Sequence, residues 1–138
     1  MTPEQVVLVQ DSWKRLQPVA HAAAALLYNR LFTLDPSLPL LFRGDIQEQG
    51  RKLMAMIGVA INALDRLEAI GPALQALGRR HAGYGVRDKH YSVVGDALIW
   101  TLAQKLGVAF TREVEDAWRG AYGMIVATMK QASTKVAA

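Results

Sequence analysis

A chain of 138 residues, 51% of them apolar and 20% charged, is enough for one domain with a buried core, and it excludes disorder and collagen-like repeats. With no cysteine it has no disulfide, thiolate zinc site, iron–sulfur cluster or cysteine nucleophile. The formal charge of +4 comes from scattered Lys and Arg, with no stripe that alternates aromatics and basic residues, so no nucleic-acid partner is expected.

The N-terminal stretch MTPEQVVLVQDSW has no basic start followed by an apolar run, so no secretory signal is expected there. It reads instead as a helix start: Thr2 as N-cap, Pro3 in the first position and Gln5 completing a capping box. Val6, Val9, Trp13 and Leu16 recur at three and four and mark one buried face. Pro18 opens a second helix to about Leu34, with Ala23, Leu27, Leu31 and Leu34 in one stripe. Alanines 22 to 25 permit close approach of a crossing helix. Tyr28 lies within this apolar surround, where a hydroxyl needs a partner. The apolar run at 22–27 meets Asn29 and Arg30 long before the roughly 20 residues of a membrane span. No membrane association is expected, and the cytoplasm is the expected location.

Pro36 and Pro39 end that helix, and Leu40, Leu41 and Phe42 crowd into the corner. A third helix is expected from about Ile46 to Leu67, with Leu53, Met54, Ile57, Ile61 and Leu64 as its stripe and Gln49 at the rim. Gly71-Pro72 breaks the chain, and a short helical run carries Leu74, Leu77 and His81 on one apolar face before a glycine corner at 83 and 85. A further helix bears Val94, Leu98, Leu102 and Leu106 and stops at Gly107. Thr111 caps the last, whose face carries Val114, Ala117, Trp118, Ala121, Tyr122, Ile125 and Met129; the tail from Ser133 is expected to fray. No strand alternation or repeat interrupts this pattern. The chain reads as a single all-α domain over residues 1–138, with six to seven helices in crossed packing.

Enzyme motifs are scarce: there is no phosphate loop, nucleophile elbow or His-Glu-x-x-His pair. His81 and His90 are nine residues apart, a poor spacing for two ligands from one helix. One inward histidine, one inward tyrosine, one rim amide and a large apolar interior suit a cofactor pocket with a single histidine, and haem is the cofactor most often held so.

The segments SWKRL, LLYNRLFTLDPSLPLLF, GRKLM, LGRRHAGYGV, HYSVVGDAL and AWRGAYG, in that order, resemble the globin family over nearly the whole chain. The likeness is to single-domain bacterial haemoglobins of the flavohaemoglobin globin-domain lineage (the Vitreoscilla and Hell's Gate types), with kinship to neuroglobin. The resemblance implies a globin fold around haem b, with His81 as the proximal ligand to iron. Its other ring nitrogen is then expected to donate to the carbonyl of Leu77. It further implies Phe42 stacked on the haem, Tyr28 and Gln49 as distal hydrogen-bond donors, and Leu53 in the distal wall. Lys52 is placed to reach a propionate, Val86 and Val94 to touch the haem edge, and Tyr91 to sit on the proximal side. Where flavohaemoglobin relatives carry a glutamate in the last helix, this chain has Ser133, which implies less imidazolate character at His81. The implied function is reversible, high-affinity binding of dioxygen, with carbon monoxide and nitric oxide as further ligands. The alternative is nitric oxide dioxygenase activity supported by a separate reductase.

Overall fold

The computed structural model describes residues 1–38, 45–83 and 85–137, with side-chain surroundings given through residue 131. Among the described residues the chain is helical without a strand. Its helices are α1 (Pro3–Leu16), α2 (Ala20–Leu34), α3 (Ile46–Asn62), α4 (Gly71–Gly83), α5 (Asp88–Leu106) and α6 (Arg112–Ala137). Shorter 3-10 segments lie at Gln17–Val19, Leu64–Ile70 and Gly107–Ala109.

Local signals act where the sequence places them. The Thr2 hydroxyl accepts from Gln5 N–H at 3.1 Å and Gln5 Oε1 accepts from Thr2 N–H at 2.9 Å, closing the capping box. Thr111 Oγ1 accepts from Val114 N–H at 3.2 Å at the start of α6. Gly107, at φ 55°, stops α5 in a conformation that disfavours a Cβ.

Four expectations shift. The helix expected to reach Leu67 ends at Asn62, and a 3-10 segment with a non-helical Arg66 carries Leu64 and Leu67 onward. A spacing of three fits either helix type, so periodicity could not separate them. Gly71-Pro72 starts α4 instead of breaking the chain, because a proline in the first turn gives up no helical hydrogen bond. Leu34 is exposed, and Leu38 beyond the helix is buried in its place. Finally, α6 continues to Ala137 instead of fraying from Ser133, consistent with the helix propensity of its alanines and lysine.

The packing joins elements far apart in the chain: α2 on α5, α1 on α6, α4 on α6, with α2 also on α3. At the α1–α6 contact, Trp118 Nε1–H donates to Ser12 Oγ at 2.7 Å, and the Ser12 hydroxyl faces the carbonyls of Leu8 and Val9 at 2.8 and 2.9 Å. This satisfies an indole N–H inside the core. The buried side chains fall into two groups. The larger spans α1, α2, α3, α5 and α6 and includes Tyr28. The smaller consists of Leu74, Tyr91, Val126 and Met129. Leu67, Tyr122 and Ile125 pack against both and join them. By contrast, α3 and α4 share at most a slight contact. No described helix is long and apolar enough to cross a membrane.

Candidate functional site

His81 stands on α4, three residues after Gly78. A Cβ on Gly78 would collide with the Met129 carbonyl oxygen and lie 2.9 Å from that residue's carbonyl carbon and Cα. Only glycine lets α4 lie this close on α6. His81 itself is half-buried. Its Nδ1 lies 2.8 Å from the Leu77 carbonyl, which can only accept, so Nδ1 carries the proton. In the neutral ring this leaves Nε2 with its lone pair, and no described residue hydrogen-bonds to it. The imidazole stacks on Tyr91, centroids 6.3 Å apart and planes 24° from parallel.

Tyr91 is itself held. Tyr122 O–H donates to the Tyr91 carbonyl at 2.6 Å, and burial pushes the Tyr122 phenol far enough up to keep it a donor. Lys130 Nζ lies 5.5 Å from the Tyr91 ring centre and 3.6 Å from Asp88. One residue before Tyr91, His90 Nδ1 accepts from Arg87 N–H at 2.8 Å and fastens the start of α5. That bond makes His90 a capping residue. Val86 and Leu77 pack half-buried against the same small group.

Tyr28 belongs to the larger group. Gly50 of α3 again permits the approach: its Cβ would lie 3.3 Å from Ala24 Cβ and 3.3 Å from Tyr28 Cε2. Burial pushes the Tyr28 phenol up to about 12, so it remains a neutral O–H donor. Phe32 flanks the ring at 5.8 Å. Gln49 directly precedes Gly50 on α3 and is half-buried, as is Leu53 one turn on; Lys52 is exposed. Val94 of α5 packs half-buried on the same group. Phe42 lies outside the described residues, and so does the side chain of Ser133.

The residues therefore fall with two packing groups: Tyr91, Val86 and Leu77 with the smaller, beside the stacked His81, and Tyr28, Leu53 and Val94 with the larger. Leu53, Ile57, Val94, Leu77 and Val86 are apolar and only half covered by protein. Among the described residues no group of three or more His, Asp or Glu could hold a bare metal ion. A lone imidazole suits a metal that already carries its own ring of equatorial donors, and apolar faces suit a planar apolar macrocycle. The donor set and the walls fit haem.

Gly50 and Gly78 were not among the residues singled out by sequence, and Tyr122 was read only as part of an apolar face. A signal existed for the glycines, since one inside a helix costs about 1 kcal/mol against alanine and calls for a packing reason. For Tyr122 there was none, because its hydroxyl bonds to a backbone atom 31 residues away.

The fold is all-helical among the described residues, and the site offers one imidazole lone pair beside half-covered apolar side chains. The globin family model matches residues 25–129, and the chain belongs to the globin family. It is 32% identical to neuroglobin of Danio rerio over 142 aligned positions, covering 93% of this chain and 89% of that one. With neuroglobin-1 of Oncorhynchus mykiss the identity is 30%, covering 98% and 94%. Among solved structures it is similar to an engineered carbene transferase from Rhodothermus marinus, named as a candidate nitric oxide dioxygenase. That match has a TM-score of 0.88 at 25% identity and covers 99% and 95% of the two chains. A hexacoordinated haem protein from an anhydrobiotic tardigrade shares the fold, with a TM-score of 0.87 at 16% identity.

Proposed function

We propose that this globin binds dioxygen reversibly on haem b, with His81 Nε2 as the iron's protein ligand and Tyr28 and Gln49 on the opposite side. The observation that carries the reading is the 2.8 Å bond from His81 Nδ1 to Leu77, which turns Nε2 outward as a lone pair. When bound, ferrous haem supplies a coordination position open to a diatomic gas. The protein's own part is positional. Leu77 and Tyr91 hold the imidazole, and the apolar faces of Leu53, Val86 and Val94 exclude water. Lys52, exposed on α3, is free to reach a propionate, and Phe42 is proposed to stack on the macrocycle.

Tyr28 and Gln49 set the ligand preference. The outer atom of dioxygen carries partial negative charge in such a pocket, and a neutral phenol and an amide can donate to it. Carbon monoxide is less polar and gains less. Each donor contributes about 1–3 kcal/mol, or roughly five- to 150-fold in affinity. Tyr28→Phe is therefore expected to speed dioxygen release by at least about fivefold, with a much smaller change for carbon monoxide, measured by stopped-flow displacement. Equal changes would overturn the role of Tyr28. Glutamine is a poor axial ligand, so the reduced protein should be five-coordinate; a two-histidine low-spin spectrum would overturn that.

Nitric oxide dioxygenase activity is the second reading, favoured by the similarity to the Rhodothermus marinus protein. It needs electrons from a separate reductase, and sustained nitric oxide consumption with such a partner would distinguish it from carriage. The placement among bacterial single-domain haemoglobins and a cytoplasmic location belong to this proposal.

A further inference from the structure

We propose that a second groove, between α2 and α3, binds an amphipathic carboxylate with a medium-length alkyl tail. The groove has a volume of about 300 Å³ and is lined by Ala20, Ala24, Ala25, Ile46, Gly50 and Met54, with His21, Gln47 and Arg51 as its polar members. Tyr28, Gln49 and Leu53 do not line it, so it is separate from the proposed haem site. Its apolar members are three alanines, a glycine, a methionine and Ile46, which is exposed.

The charge is complementary to an anion. Among the described residues no carboxylate lines the groove and Arg51 forms no ion pair. The three polar side chains can all donate: a guanidinium, an amide and an imidazole. A guanidinium fork matches a carboxylate with two parallel hydrogen bonds. An apolar groove that also carries such a fork selects a charged head with a tail. At about 30 Å³ per methylene, close to the share of a water molecule in the liquid, the trough holds roughly eight to ten carbons. Ala24 and Gly50 line the groove, and a Cβ on Gly50 would lie 3.3 Å from Tyr28. A bound tail therefore presses on the backbone that packs against the Tyr28 ring.

The test is an NMR titration of the haem-loaded protein with hexanoate, octanoate and decanoate below their micellar concentrations, with acetate and decanol as controls. Saturable shifts are expected at His21, Ala25 and Arg51, with a smaller shift at the Tyr28 ring. Affinity should rise about fourfold per methylene up to eight to ten carbons. Arg51→Glu should weaken decanoate at least tenfold and leave decanol unchanged, and Ala25→Leu, which fills the trough, should weaken both. Acetate binding as well as decanoate, decanol matching decanoate in the unsubstituted protein, or shifts confined to Leu77, His81 and Val86 would overturn the proposal. So would capture by anionic phosphatidylglycerol vesicles without binding of free decanoate. Shifts in the groove without any at Tyr28 would overturn the coupling to that ring.

Discussion

At the α4–α6 contact a Cβ on Gly78 would strike the Met129 backbone, whereas at the α2–α3 contact a Cβ on Gly50 would meet two side chains at 3.3 Å. Both glycines bring together helices that carry pocket residues, and they differ in what lies opposite. A backbone carbonyl inside a helix cannot move without unmaking hydrogen bonds, but a tyrosine ring and an alanine methyl can shift by a few tenths of an ångström. The His81 side is thus set by main chain against main chain, and the Tyr28 side by main chain against side chains. It follows that the histidine side should be stiff and easily broken, and the tyrosine side adjustable.

The largest effect should come from His81→Ala. Loss of the lone imidazole is expected to lower haem retention by orders of magnitude, seen as loss of the Soret band on gel filtration, and external imidazole should restore part of it. Full retention would move the ligand role elsewhere. Next comes Gly78→Ala. Helix propensity alone predicts a gain of about 1 kcal/mol, but the clash predicts a loss of about 3 kcal/mol or more. A fall in the urea midpoint would show that the contact outweighs propensity, and a rise would show that α4 can slide on α6.

The Tyr28 phenol offers a third break, by pH. Its value is about 12 in the folded chain against an ordinary 10, so the folded state keeps a proton that the unfolded state gives up. Stability from its burial is complete below pH 10 and is lost as pH climbs toward 12. Tyr28→Phe should flatten the alkaline decline over that window in pH-dependent unfolding; an unchanged slope would assign the decline to Tyr122, which is also raised. The smallest effect on stability is expected from Gly50→Ala, within about 1 kcal/mol either way, since propensity and crowding oppose one another. Its signature should be a changed dioxygen release rate at near-constant stability. A stability loss as large as that of Gly78→Ala would erase the contrast between the two contacts.

Much of this molecule was legible in one dimension. Capping chemistry at Thr2 and Thr111, the stop at Gly107 and the apolar spacing of α1, α3, α5 and α6 are local, and local sequence encodes them. The same spacing put His81 and Tyr28 on apolar faces, and the ordered globin-like motifs assigned them opposite sides of one cofactor. Spacing was silent where the outcome depends on a distant partner. A run of leucines three apart satisfies both an α-helix and the 3-10 segment at Leu64–Ile70, and only burial against both core groups selects between them. Leu34 continues a stripe and is exposed all the same, while Leu31 before it and Leu38 after it are buried.

By itself, then, the sequence determined the all-helical class, the helix ends that carry caps, and the apolar face on which Tyr28 is buried, since each is set by residues within a turn or two. The tertiary structure alone decided that Gly78 and Gly50 are close helix contacts, that Tyr122 anchors Tyr91, and that the buried side chains form two groups. These depend on which surfaces meet across long chain separations, and no local periodicity records the distance between two backbones.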